Sequence, residues 1–363
     1  MKLTNEQRLM ILLSRMTFSC KDIEDIKVII ENNNINWFIF FMYALYNKTA
    51  TLCWVNVRGL AKNIYISRQL NDSLKFIYLS LKRRNILFAA KKDNIINELA
   101  KNDISVINVK GTHLIPLLYK DYGLRFCGDI DFLIKHSKID KLKVALNELG
   151  YVQGRYNYET HSIDQISRRD DIKWKVSMSN LYPFIKLSND ELFSVYKLDF
   201  RFALDDSLQK ASVDEMLDDY VKNGTMRPMH YLIHLCTHLY DESKQSMNVL
   251  IGKDINLIKY IDIREYILQI MSESDWIEAV EFCVKYNLTK QLYFALHHLK
   301  LIYSDGYEGK YMQMLKVSNT SFLDTYGDKA IRDDKVWKKD FFERMFSCGN
   351  IDELDEVPKF FIE

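Results

Sequence analysis

Apolar positions recur at helical spacing through the first hundred residues. They do so in EQRLMILLSRM, in KDIEDIKVII, in the run Trp37–Tyr46 and across LNDSLKFIYLSLKRRNILFAAKKDNIINELA. Turn signals at Thr17–Ser19, Asn32–Asn34 and Gly59 separate these stretches. The pattern predicts an all-helical region over 1–102, with no fixed-period repeat and no low-complexity segment. Near residue 103 the period changes. ISVINVK (Ile104–Lys110) alternates and is rich in β-branched residues, which predicts a strand that Gly111 ends. THLIPLLYKDYG predicts a short helix closing near Gly123, with Pro116 in its first turn, where a missing N–H is tolerated. DIDFLI is the next strand. Ser137 is the expected N-cap of SKIDKLKVALNELG, with Asp140 in the capping-box position and Gly150 as the stop. Tyr151–Tyr158, Ile172–Met178 and Val195–Phe202 are further strand candidates. The order β-α-β-α-β, with later β-rich segments, predicts a small mixed sheet with helices packed on it over 103–222. Over 223–363 the chain reads as helical again. Pro228 opens MHYLIHLCTHLYDE, and helices follow around Val249–Met271, Asp275–Tyr286 and Lys290–Tyr303. The expected fold class is therefore α+β, a small mixed sheet flanked by helical N-terminal and C-terminal regions.

The strand DIDFLI carries the most informative chemistry. Asp129 and Asp131 stand two apart, so a strand projects both carboxylates on one side and Ile130, Phe132 and Ile134 on the other. Two adjacent negative charges are costly unless a cation joins them. A third acid, Asp199, sits in YKLDFRF. There the alternation sets Leu198, Phe200 and Phe202 against Lys197, Asp199 and Arg201. Three strand-borne carboxylates near a helix start make a site for two hard divalent cations and a triphosphate, because Mg²⁺ favours carboxylate and phosphate oxygens. Gly111 allows close approach of phosphate, and Lys110 and Arg125 are placed to neutralise its charge. Plainer readings compete. Asp-x-Asp also occurs on solvent-facing strand edges, Asp199 could pair with Lys197 or Arg201 across a sheet, and Arg125 could cap or pair locally.

Composition narrows the classes. The 363 residues leave room for two or three domains, and 48% hydrophobic with 27% charged content is that of a folded chain. Fifty basic residues against forty-nine acidic ones give a net charge of +1, which offers no general attraction for nucleic acid or a membrane. The most apolar run, INWFIFFMYALYN, is too short to span a bilayer and reads as a buried helix. The start, MKLTNEQRLMILLSRM, reads as an amphipathic helix and not as a signal peptide. Six scattered cysteines (Cys20, Cys53, Cys127, Cys236, Cys283, Cys348) with no CxxC pair imply free thiols in a reducing, cytoplasmic setting. Lys82, Arg83, Arg84, Lys91 and Lys92 read as a solvated basic face. With 12 glycines there is no GxGxxG. GLRFCGDI has Walker A spacing, but Asp129 and Ile130 stand where Lys and Ser/Thr belong, which excludes a P-loop. HExxH, GxSxG and paired-cysteine zinc signatures are absent from the sequence.

The run VKGTHLIPLLYKDYGLRFCGDIDFLI resembles the DNA-polymerase-beta-type nucleotidyltransferase superfamily. It is more closely similar to the bacterial nucleotidyltransferase family whose pattern is Lys-Gly, a helix, an Arg, then Asp-Ile-Asp and two hydrophobic residues. The likeness extends over most of the chain, through Asn36–Trp37, the KLDF strand, HYLIHLCTHL and LIKYIDI. It implies that Asp129 and Asp131 are paired metal ligands and that Asp199 is the third carboxylate. Lys110 and Gly111 stand where the wider superfamily has Gly-Ser. The implied activity transfers a nucleoside monophosphate from a nucleoside triphosphate to a hydroxyl acceptor, with Mg²⁺ or Mn²⁺ and with release of pyrophosphate. AMP from ATP is the expected case. The acceptor could be a small molecule, a sugar, a peptide or a protein, and the near-neutral charge argues against nucleic acid. His230, His234 and His238 recur every four residues and share a helical face. Zinc there is a minor reading; the favoured one has this face line the nucleotide or acceptor cleft, with His234 as the nucleotide contact. His161 could lie near the site or cap a turn. Asp262 could pair with Arg264 or Lys259, or orient the acceptor or the histidine face. Cys127 is assigned packing only. The alternative class is a non-catalytic nucleotide-binding or assembly partner.

Overall fold

Six strands form one mixed sheet in the computed structural model: β1 (Val106–Val109), β2 (Ile130–Ile134), β3 (Val152–Asn157), β4 (Ser162–Gln165), β5 (Phe184–Leu187) and β6 (Val195–Arg201). Their order is β1-β2-β6-β5-β3-β4. β2 and β6 run parallel, and the other neighbours run antiparallel. The described residues are 3–32, 34–60, 66–205, 207–327, 335–347 and 349–354. Met1, Lys2, Asn33 of the expected Asn32–Asn34 turn, and Cys348 lie outside them.

The N-terminal helices are α1 (Asn5–Leu13), α2 (Cys20–Asn32), α3 (Trp37–Tyr46), α4 (Ala50–Leu60) and α5 (Arg68–Lys101). With the sheet come α6 (Gly111–Leu114), α7 (Ile139–Glu148), α8 (Arg168–Ser177) and α9 (Ala211–Asn223), and α10 (Pro228–Lys244) begins in the sheet unit and continues in the other. Then follow α11 (Ser246–Leu250), α12 (Leu257–Ile270), α13 (Glu273–Lys285), α14 (Thr289–Ile302), α15 (Glu308–Met314) and α16 (Phe341–Phe346). The fold is α+β, a mixed sheet flanked by helices. It divides into two compact units, 78–231 with the sheet, and 1–77 together with 232–363.

In the sheet unit one face of β2 and β6 makes the core. Ile130, Phe132, Ile134, Leu198, Phe200 and Phe202 are buried there with Phe88, Leu142 and Phe184. Phe132 and Phe200 stack with centroids 5.0 Å apart. The opposite face of β2 is buried too, since Leu133 and Asp131 are both closed off from solvent. Asp131 therefore lies on an interior strand and not on a solvent-facing edge.

In the helical unit, chain-distant segments are tied by buried polar groups. Asn47 accepts from the Leu257 amide at 2.9 Å and donates to the Met345 carbonyl at 3.1 Å. Glu265 accepts from the Met16 amide at 3.0 Å and from the Thr17 hydroxyl at 2.8 Å. Unpaired, these buried groups would each carry a desolvation cost, so the pairing specifies how the N-terminal and C-terminal helices join. Arg264 pairs with Glu265 and Asp305, Lys259 with Glu242, and Asp262 is buried. Among the described residues no helix is long and apolar enough to cross a membrane. Cys20, Cys53, Cys127, Cys236 and Cys283 are free thiols.

Several local expectations are corrected. Ile172–Met178 lies mostly within helix α8 and is not a strand. The Ser167 hydroxyl caps it by accepting from the Asp170 amide, and Asp171 pairs with Lys175 one turn on at 3.1 Å. Those local signals outweigh the alternating Ile172, Trp174 and Val176, and the structure leaves Ile172 and Val176 exposed. Pro116 does stand in the first turn of a helical segment, Ile115–Tyr119, but that segment follows directly on α6. α6 starts at Gly111, and the chain widens to a π turn over Ile115–Tyr119, with the Lys120 amide donating to the Ile115 carbonyl at 2.8 Å. Lys120 in the left-handed region, not Gly123, ends this helix. Ser137 lies inside a 3₁₀ turn, and α7 begins at Ile139 with no side-chain cap. Gly150, at φ 79°, does close α7. The Val249–Met271 helix is two helices, α11 and α12. α3 is buried on one face only: Phe40, Phe41 and Ala44 are inside, while Phe38, Ile39, Met42 and Leu45 are exposed. The basic face of α5 is not simply solvated. Arg84 lies among the rings of Phe88, Phe126 and Phe193, 4.9, 5.1 and 5.9 Å from their centroids, and Lys91 lies 4.7 Å from the Tyr196 ring.

Candidate active site

The parallel pairing of β2 with β6 sets Asp131 opposite Asp199 in register. Asp129 lies just before β2. Lys110 closes β1 at the point where Val109 pairs with Asp131, and Gly111 opens α6. The structure thus brings Asp129, Asp131, Asp199, Lys110, Gly111 and Arg125 into one unit. His234 belongs to the other unit, where it is buried and stacked on His238 at 6.3 Å.

Each acid has a polar or cationic partner. The Lys110 ammonium donates to Asp131 Oδ1 at 2.5 Å, and the side chains are 15% and 5% exposed. Lys197 Nζ stands 3.6 Å from Asp129 Oδ2. Asn180 Nδ2 donates to Asp199 Oδ1 at 2.8 Å. Arg201 donates to the Leu204 carbonyl. Burial pushes the Asp131 carboxyl up to about 7; the charges of Asp129 and Asp199 push the same way, and Lys110 pulls it down. Asp129 holds the Lys197 ammonium above its usual range, against the effect of its burial. The acids therefore sense one another, and lysines supply the compensating charge.

Space around Gly111 is closed. A Cβ there would lie 2.6 Å from Cys127 Sγ and 2.7 Å from Arg125 Nη1, so a side chain at this position would force those two groups to shift. Cys127 is buried, its thiol pushed up to about 12 by that burial, and its Sγ donates to the Asp129 carbonyl at 3.1 Å. Arg125 donates from Nη1 to the Phe126 carbonyl at 3.1 Å. Asn85 fixes this loop by donating to the Tyr122 and Arg125 carbonyls at 2.6 and 2.8 Å. Lys110 adopts φ 55°, ψ −133°, a conformation strained for a residue with a side chain. Its carbonyl accepts from the Leu114 amide at 2.7 Å and from the Tyr231 hydroxyl at 3.4 Å.

A hard-oxygen donor set of three carboxylates has the right chemistry for Mg²⁺ or Mn²⁺. As placed, however, no three His, Cys, Asp or Glu among the described residues converge to hold a metal ion. The ammonium of Lys110 sits where a cation would meet Asp131.

Asn180 and Asn108 are not among the expected site residues, and Arg84 is expected only on a solvated basic face. Asn108 donates to the Asp131 carbonyl at 3.0 Å and to the Thr112 hydroxyl at 2.7 Å, which joins β1, β2 and α6. Its alternation within ISVINVK was the available signal. Asn180 reaches Asp199 from a bridge to Arg201, for which no local pattern exists. Elsewhere, His230 is buried 3.9 Å from Asp219, and burial lowers its imidazole to about 4. His161 is on the β3–β4 turn, bonded to the Tyr156 hydroxyl at 2.8 Å.

Against known families, residues 33–304 match the family described as uncharacterised nucleotidyltransferases. The chain belongs to that family. The match runs through the whole sheet and much of the helical unit, and nucleotidyl transfer is the chemistry the family is named for. No curated protein and no solved structure matches the chain.

Proposed function

We propose that this nucleotidyltransferase-family protein moves a nucleoside monophosphate, with AMP from ATP as the first case to test, onto a hydroxyl acceptor and releases pyrophosphate. The observation that carries the reading is the in-register facing of Asp131 and Asp199 on adjacent parallel strands, with Asp129 two residues ahead. Asp129, Asp131 and Asp199 would hold the divalent cations. Those ions, when bound, supply charge stabilisation at the transferred phosphoryl group and its leaving pyrophosphate. Asp199, steadied at Oδ1 by Asn180, would take the acceptor hydroxyl proton on its other oxygen. Lys110 would engage the triphosphate from the β1–α6 turn, and Gly111 lets that turn pack closely against Cys127 and Arg125. The acceptor is a small molecule, a sugar, a peptide or a protein side chain.

One observation favours the second reading, a non-catalytic nucleotide-binding or assembly partner. Lysines already stand against Asp131 and Asp129, so part of the acids' repulsion is offset without metal. Incubation with each of the four NTPs labelled at the α-phosphate, with Mg²⁺, separates the two. Pyrophosphate release or label transfer to the protein or to added hydroxyl acceptors supports the enzyme. Nucleotide binding without either supports the partner.

A further inference from the structure

We propose that Lys110 is a place-holding cation: it neutralises Asp131 until a divalent metal arrives together with nucleotide, and so makes metal entry depend on nucleotide entry. This rests on the nucleotidyl-transfer reading above. The charges make the case. Fully ionised, Asp129, Asp131 and Asp199 carry three negative charges, and Lys110 and Lys197 return two positive ones. A divalent ion arriving alone meets an acid site that is nearly balanced. Its best ligand, Asp131, is already engaged at 2.5 Å by a buried ammonium. Displacing Lys110 from Asp131 takes a buried ammonium off its 2.5 Å partner, which is costly unless a new anion replaces it.

A metal–triphosphate pair changes the balance. The triphosphate's negative oxygens offset the added divalent charge. They also give the displaced ammonium an anion to bind, within the sweep of its flexible four-carbon stem. The backbone does not have to move. The Lys110 carbonyl is held by the His113 and Leu114 amides at 3.1 and 2.7 Å, and its strained φ of 55° fixes where the side chain starts. The exchange is thus a side-chain swing from Asp131 to phosphate. In linkage terms, nucleotide and metal each raise the other's affinity, and the lysine is the element both act on.

The test is Mn²⁺ titration of the full chain by calorimetry and by the spin signal of free Mn²⁺, with and without α,β-methylene-ATP. Wild type should bind Mn²⁺ weakly alone and about tenfold or more tighter with the analogue. Lys110→Met, which keeps the stem and drops the charge, should bind Mn²⁺ alone about tenfold tighter than wild type and gain little from the analogue. Lys110→Arg keeps a cation in place and should keep the wild-type coupling, so it gives a reading even if the Met variant misfolds. Mn²⁺ affinity of Lys110→Met no better than wild type, or of Lys110→Arg tighter than wild type without nucleotide, overturns the proposal. Asp131→Asn should abolish the binding. If it does while Lys110→Met fails to tighten, the lysine proposal alone falls. If Mn²⁺ binds Asp131→Asn as it binds wild type, the metal-site reading beneath it falls as well.

Discussion

Asp131→Asn is the most exposing perturbation of this site, because it removes a charge and almost nothing else. Burial, with Asp129 and Asp199 adding to it, lifts the Asp131 carboxyl to about 7, in spite of Lys110. An unfolded chain returns the group to about 4. The folded state therefore holds the proton over a window in which the unfolded state has lost it. Where the folded state binds more protons, stability falls as pH rises. From about pH 5 to about pH 7.5 the ionising acid should cost the wild type roughly 2–3 kcal/mol that the Asn variant does not lose. The difference between the two proteins, at each pH, cancels the titrations they share. Amide hydrogen exchange of a peptide spanning β2, corrected for the intrinsic rate at each pH, reads the local stability. The Asn variant should gain on wild type across that interval. If wild type gains on the variant instead, the Lys110 ion pair dominates, the carboxyl is depressed, and the cost assigned to clustering these acids is wrong.

Other expectations rest on single contacts. Lys110→Ala should raise the nucleotide KM and slow turnover, with less effect on the acceptor KM; unchanged nucleotide affinity in steady-state kinetics would remove Lys110 from the triphosphate. Gly111→Ala puts a methyl 2.6 Å from Cys127 Sγ and should cost about 1–3 kcal/mol in denaturant melts, part of which Cys127→Ala restores by removing that sulfur. Asn180→Ala frees Asp199 from its 2.8 Å bond, so kcat should fall while the nucleotide KM moves little; a fall in nucleotide affinity alone would assign Asn180 to binding.

Elements with a clean period were legible in the sequence. The alternation of DIDFLI and YKLDFRF sorted acids from core residues, and the sheet keeps Ile130, Phe132, Leu198 and Phe200 together on one face. Pairing was not legible. Nothing local says that β2 lies parallel to β6, or that Asp199 meets Asn180, nineteen residues earlier, because both depend on how distant segments register. Short strands were missed for a related reason. β5, FIKL, is four residues long, and β4, SIDQ, is a polar edge strand, so neither has enough period to stand out. α8 was misread because Ile172, Trp174 and Val176 alternate, while the Ser167 cap and the Asp171–Lys175 pair act at helical spacing. The histidine face shows the limit of periodicity most plainly. Spacing places His230, His234 and His238 on one side of α10 but does not name their partners: His230 lies 3.9 Å from Asp219, and His234 stacks on His238. Charge was legible as number and not as partner. The sequence asks for a cation beside Asp131, and the structure answers with Lys110 from the end of the neighbouring strand.

In the proposed function the acids of β2 and β6 hold a metal–nucleotide pair. The most direct measurement is a thermal melt with Mg²⁺, with α,β-methylene-ATP, and with both, on wild type and on Asp129→Ala/Asp131→Ala. A ligand that binds only the folded state stabilises by RT ln(1 + [L]/Kd), about 2.7 kcal/mol at a hundredfold excess. Wild type should melt higher with both together than with either alone, and the double variant should lose that combined shift. A nucleotide-dependent Mg²⁺ shift that survives the double substitution would place the metals on residues other than Asp129 and Asp131.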